Sequence, residues 1–177
     1  EFMADPTPVV GLPEVEFIEL FNRSTKVFNL RGWKIGDNST YGTIGDFWLM
    51  PNEYVVLTAN ANVSVFIGNV VGVTSFPSLG NATDEIRLLS FEGQMVDQLS
   101  YTDAWYKDET KKNGGWTLER INVDLVCSSE QNWRASTNID GGTPAMQNSI
   151  FSLDPDLRPV GIQQFYLEGD SLFIILD

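Results

Sequence analysis

Val15-Glu16-Phe17-Ile18-Glu19-Leu20-Phe21-Asn22, continued by Leu30-Arg31-Gly32-Trp33-Lys34-Ile35, decides how this chain folds. The first run predicts one long strand, and the second predicts the strand that follows a polar turn. Side chains alternate along a strand. Val15, Phe17, Glu19 and Phe21 therefore point one way, and Glu16, Ile18, Leu20 and Asn22 the other. Ile18 and Leu20 form the uninterrupted apolar pair, so that phase is assigned to the core. Phe17 and Phe21 then cover the opposite face of the sheet.

Working outward, short extended segments alternate with breakers. Asp5-Pro6-Thr7-Pro8 and Gly11-Leu12-Pro13 interrupt any regular element before the central strand. Tyr41 to Ile44 is a weak strand, and Tyr54-Val55-Val56-Leu57-Thr58 is a strong one, rich in β-branched and aromatic residues. Glu85 to Ser90, the turn Phe91-Glu92-Gly93-Gln94 and Met95 to Tyr101 predict the clearest hairpin. Trp116 to Ile121 and the neighbourhood of Trp133 supply two more strands. Ala59 to Phe66 is the one helical piece expected before residue 120. Many short strands punctuated by Gly, Pro and Asn read as a sandwich.

After Ser149 the character changes. Asp154-Pro155-Asp156 and Pro159 predict a linker. Val160 to Leu167, a Glu168-Gly169-Asp170-Ser171 turn and Leu172 to Leu176 then predict a second hairpin. Two strands alone are marginal in water, so this hairpin reads as the truncated start of a following β-domain. Its apolar run offers a route to self-association through residues 160–177. The expected organisation is a domain over 1–149, a linker over 150–159 and the hairpin over 160–177.

The 177 residues carry 42% hydrophobic and 12% aromatic side chains, which fits a folded core rather than disorder. Eleven basic against 24 acidic residues give a net charge of −13. That balance disfavours a broad nucleic-acid-binding face. It suits an exported soluble protein, or one that collects cations. No apolar run reaches membrane-spanning length.

The opening run with Leu30, Gly32 and Trp33 resembles the signature of the lamin tail domain in its bacterial form. Two further groups carry the resemblance. One is Asp84 to Leu89 through Gly93 to Val96-Asp97. The other is Trp116, Glu119-Arg120, Trp133, Ser136, Gly141-Gly142-Thr143-Pro144 and Asn148. The likeness spans nearly all of 1–149. Glu1-Phe2-Met3-Ala4-Asp5-Pro6 reads either as a cloning remnant over residues 1–3 or, the favoured reading, as the family's first strand cut just inside its beginning, which makes the chain a segment of a longer protein.

The resemblance implies an all-β immunoglobulin-like β-sandwich without catalysis, here with a short C-terminal β-hairpin extension. In animals such domains are the tails of nuclear filament proteins and bind other proteins. In bacteria similar domains occur in exported multidomain proteins. This chain lacks a heptad rod and a nuclear import cluster, which favours the bacterial setting, extracellular or cell-surface, with the periplasm as a variant. The expected function is a non-catalytic interaction or spacer module, with a protein or a cell-surface polymer as partner. The alternative is an accessory module, binding carbohydrate or another polymer, of an extracellular hydrolase or nuclease.

The side chains point the same way. With no histidine, Ser-His-Asp and Cys-His catalysis and histidine metal sites are excluded. The single cysteine, Cys127, reads as an inert thiol. No catalytic residue and no cofactor is assigned. Asp37, Asp46 and Asp140 lie in loops and are weak calcium candidates, although the Asp37 loop places Tyr41 where an oxygen ligand belongs. Solvated acidic loops are the simpler reading. Glu19 with Arg120 is expected to form a structural ion pair. Trp48, Trp105, Tyr106 and Trp116 sit near loops. Core or rim packing is the default for them, but Trp105-Tyr106, beside the charged loop 107–115, is the candidate contact surface.

Overall fold

A computed structural model describes residues 1–37, 39–125, 130–153, 162–168 and 171–176. The central strand, β2 (Phe17–Phe21), lies between β1 (Phe2–Met3) and β7 (Tyr54–Ala59). Both neighbours run antiparallel to it, with Phe2 opposite Ile18 and Leu57 also opposite Ile18. The assigned phase holds. Ile18 is buried in the main core and Leu20 packs half-buried against it. Phe17, on the other face, joins Met3 and Val56 in a second, smaller cluster. Phe21 packs against Tyr54 with ring centroids 4.5 Å apart.

The remaining strands are β3 (Phe28–Asn29), β4 (Lys34–Gly36), β5 (Tyr41–Ile44), β6 (Trp48–Leu49), β8 (Val70–Thr74), β9 (Thr83–Leu89), β10 (Met95–Thr102), β11 (Leu118–Arg120) and β12 (Trp133–Ala135). Ten of the twelve strands β1–β12 form one sheet in the order β10-β9-β4-β5-β8-β7-β2-β1-β11-β12, and β3 pairs with β6. All pairings are antiparallel except β7 with β8. Between those two the chain crosses over through a 3-10 segment, Asn60–Val65.

The sheet curls. Phe2 on β1 meets Tyr101 on the end strand β10 at 4.6 Å, and Trp133 on the other end strand at 5.7 Å. One cluster collects Ile35, Leu57, Leu88, Leu118 and Trp133 from five strands, which a flat sheet could not do. Each fully buried aliphatic side chain of this kind contributes roughly 1.5–3 kcal/mol, and the curl is what brings them together.

The polar turn after β2 is built by one residue. Asn22 donates to the carbonyls of Lys26 and Leu49 and accepts the Ser24 N–H, pinning the turn to β6.

The β9–β10 hairpin forms as the alternation predicts. Helical structure is more widespread than expected before residue 120: short 3-10 turns also occupy Asp103–Tyr106 and Lys111–Asn113. β13 (Ile162–Glu168) and β14 (Ser171–Leu176) form a separate two-stranded sheet, with Phe165 opposite Ile174. The core of the predicted linker, residues 154–159, lies outside the described residues. Among the described residues no helix is long and apolar enough to cross a membrane.

Candidate functional site

Two features of the sandwich share one segment, residues 141–151. The first is a set of buried glutamates that fasten this segment. β11 pairs with β1, Leu118 opposite Phe2. Glu1, at the start of β1, and Glu119, on β11, are therefore brought together, and Glu19 on β2 stands one strand away. All three are buried, Glu119 completely.

Their partners lie in the segment. Thr143 donates its N–H to Glu1 Oε1 at 2.9 Å. The Thr143 hydroxyl lies 2.8 Å from Glu1 Oε2 and 3.1 Å from Glu119 Oε1. Glu119 Oε2 accepts the Ser149 hydroxyl at 2.8 Å and the Ile150 N–H at 3.2 Å. Ala145 donates its N–H to Glu19 Oε2. Gly142 permits this approach, because a Cβ there would stand 2.6 Å from Glu1 Oε1 and 2.7 Å from Thr117 Cγ2. Gly141, at φ +93°, makes the turn into it.

Burial favours the neutral form of a carboxylic acid. It pushes Glu19 up to about 8, and the Glu1 and Glu119 carboxylates push the same way against the Ala145 bond. Burial also raises Glu1, and Glu119 adds to it while the Thr143 bonds oppose it.

The second feature is a cleft of about 490 Å³ at the seam where the curled sheet's ends approach. Ile18, Leu20, Leu88, Leu99 and Trp133 line its apolar part, and Asn148 and Phe151 of the closing segment line it too. Across the seam Arg120 Nη1 stands 3.8 Å from Asp97 Oδ2. Arg120 Nη2 donates to the Leu125 carbonyl at 2.9 Å. Its guanidinium carbon lies 6.0 Å from the Trp133 ring centroid. Asn148 donates to the Arg120 carbonyl at 2.9 Å. Arg120 Nε and Asn148 Oδ1 are buried without a partner among the described residues. Burial lowers the Arg120 pKa, against the pull of Asp97. An apolar cleft with a few placed polar groups is suited to binding.

Trp105 and Tyr106, the expected contact surface, are buried instead. Trp105 packs beside Trp133, with centroids 6.4 Å apart, and the Tyr106 hydroxyl donates to the Trp116 carbonyl at 3.1 Å. The 3-10 turn from Asp103 to Tyr106 rotates both rings inward. Lys111, in the loop expected to be solvated, lies 4.1 Å over the Trp116 ring and donates to the Ser136 carbonyl.

Glu19 does not pair with Arg120. Glu19 and Phe17 share one face of β2, whereas Arg120 lines the seam with Ile18 and Leu20 and meets Asp97.

Asp37, Asp46 and Asp140 are not gathered. Among the described residues no group of three or more His, Cys, Asp or Glu side chains is placed to hold a metal. Asp37 instead accepts the Thr40 and Ser39 N–H groups, and these bonds pull it down to about 2. Asp46 and Asp140 are exposed. Cys127 lies outside the described residues.

Sequence reading assigned no role to Glu1, Glu119, Thr143 or Asn148, nor to the Asp97–Arg120 contact. The available signal was charge out of place: a glutamate inside a short strand directly after a core leucine, as in Leu118-Glu119.

A family model described as the Lamin Tail Domain matches residues 1–103, more than half of the chain. The chain belongs to the lamin tail domain family. This lamin tail domain has the all-β, immunoglobulin-like fold of a generally non-catalytic family whose members take part in interactions. The match ends one residue after β10. The structure continues the same sheet beyond it, since β11 and β12 join through β1. No curated protein matches the chain.

Proposed function

We propose that this lamin tail domain is a non-catalytic protein-interaction module of an exported or cell-surface multidomain bacterial protein, and that its contact face is the seam side of β10. One observation carries the choice of face. β10 is an end strand of the sheet, it borders the apolar cleft, and Phe91, Met95 and Val96 around its start are exposed. Asp103 donates its N–H to the Ala82 carbonyl, so the antiparallel alternation turns the Ser100 and Thr102 amides to the free edge, while the Gln98 amide on the same side is held by Asp97 Oδ1 at 2.9 Å. An open edge beside apolar side chains invites an added strand.

The acidic composition and the likeness to bacterial lamin tail domains support the exported setting. The multidomain setting is supported by β13 and β14. Among the described residues they pair only with each other, and two strands need further packing to be stable. Residues 1–149 are the lamin tail domain in this reading, 150–159 the linker, and 160–177 the start of the next β-domain.

A photo-crosslinking residue placed at Val96 in the producing cells tests the reading, with the same residue at Ile67 as the control. Ile67 is also apolar and 94% exposed, but it lies away from the seam. The expected result is a discrete crosslinked protein from position 96 and none from position 67. Equal yields at both positions, or none at 96, would overturn it.

A further inference from the structure

We infer that Glu1, Thr143 and Glu119 share one proton, and that this proton fastens the segment that closes the seam cleft. The Thr143 hydroxyl is within hydrogen-bond distance of Glu1 Oε2 and of Glu119 Oε1. A hydroxyl has one hydrogen to donate. Two full hydrogen bonds, rather than one hydrogen split between two carboxylates, require that one carboxyl carry a proton and donate it to the Thr143 oxygen.

The other partners place that proton. Glu119 Oε2 already accepts the Ser149 hydroxyl and the Ile150 N–H, so its oxygens stand as acceptors. Glu1 then donates from Oε2 to Thr143 Oγ1, and Thr143 donates onward to Glu119 Oε1. The direction of the Glu1 shift agrees with this order.

The charges facing the clasp are few. From β2 comes Glu19, with Tyr54 of β7 beside it. From β1 comes the Glu1 backbone nitrogen, an ammonium where the chain starts at this residue. From the loop side comes Lys111, whose ammonium bonds the Ser136 carbonyl next to Ser149. Arg120 and Asp97 are the charged pair at the seam.

The clasp reaches the cleft through the chain itself. Thr143, Ala145, Ser149 and Ile150 are held by the three glutamates. Asn148 and Phe151, within the same stretch, line the cleft. Losing the shared proton leaves two carboxylates competing for one hydroxyl hydrogen and repelling each other. The segment loosens, and the cleft loses part of its wall. The clasp stands on its own geometry; only its use in admitting a partner rests on the interaction reading.

The sign follows from the raised acids. An opened segment returns Glu1 and Glu19 to the ordinary range near pH 4.5. Opening is therefore opposed fully below that range and becomes easier as pH rises toward the raised values. A single proton changes the opening equilibrium by at most about tenfold per pH unit.

Amide hydrogen exchange on the unmodified chain from pH 5 to 8.5, corrected for intrinsic rates, reads this directly. Ala145 and Ile150 are expected to lose protection as pH rises, by more than Leu57 of the core strand. Glu1→Gln offers Thr143 an amide N–H in place of the acid O–H, and should remove most of the Ile150 response. The carboxyl ¹³C shifts of the glutamates at pH 6 give a readout that needs no variant: Glu1 should appear protonated. Glu1 appearing ionised at pH 6, or Ile150 tracking Leu57 at every pH, would overturn the clasp. Neither result would touch the crosslinking test of the contact face.

Discussion

Glu1 Oε2 and the Thr143 hydroxyl meet at 2.8 Å across 142 positions of sequence. The contact joins the first strand to the segment that follows the last strand of the sandwich. It is buried, so its loss is not made up by water. Thr143→Val removes the hydroxyl at nearly constant volume and leaves buried carboxyl oxygens short of a partner. The expected cost is ~1–3 kcal/mol, read as a lower urea midpoint at pH 6 with an unchanged slope.

Glu19 makes stability depend on pH. Its folded pKa of about 8 stands above the ordinary 4.5, and burial is the main cause. The folded state therefore holds a proton that the unfolded state releases between those values. Stability falls as pH rises from about 4.5 to about 8, then stops responding to this group. Urea midpoints measured across pH 5 to 9 should show that decline. Glu19→Gln should make the decline shallower, leaving the part that Glu1 contributes, since an amide keeps an oxygen for the Ala145 N–H without titrating.

The ion pair at the seam is long and partly exposed. Arg120 and Asp97 stand at 3.8 Å, and the Asp97 side chain is 66% exposed. Pairs of this kind contribute ~0–1 kcal/mol. Asp97→Asn is expected to leave the unfolding midpoint nearly unchanged at 0.15 M salt. Because the pair spans the two walls of the cleft, the same variant should increase hydrogen exchange of the Arg120 backbone amide.

Trp105 behaves as a core residue. It packs near Trp133 inside the main cluster. Trp105→Ala should cost ~3–5 kcal/mol through the lost transfer energy and the remaining cavity, seen in thermal and urea unfolding. A surface contact residue would change binding and leave stability intact.

Gly142 closes the clasp by having no side chain. Gly142→Ala places a methyl group 2.6 Å from Glu1 Oε1, and equally close to Leu12 and Thr117. Three side chains on different elements must shift together, and two of them, Glu1 and Thr117, are buried. The variant should destabilise by ~1–3 kcal/mol, and the loss of protection should be centred on Ala145 and Ile150.

The strands were legible because alternation is local. Ile18 and Leu20 against Phe17 and Phe21 can be sorted from eight consecutive residues, and the β9–β10 hairpin from its turn. Within one strand the backbone alone fixes which side chains share a face. The absence of histidine and the −13 charge likewise needed only counting.

Which faces meet is another matter. Glu19 and Arg120 looked like partners because their charges are opposite, yet β2 turns Glu19 to the Phe17 face while β11 aims Arg120 at the seam. Trp105 and Tyr106 sit beside charged residues in sequence, but a 3-10 turn carries them inside. The clasp needs β1 paired with β11, and the cleft needs the two ends of a ten-stranded sheet brought together. Sequence by itself determined the strands, their inner and outer faces and the chemistries excluded. Only the tertiary structure decided that three glutamates would share one buried segment, because the curl of the sheet sets distances between residues more than a hundred positions apart.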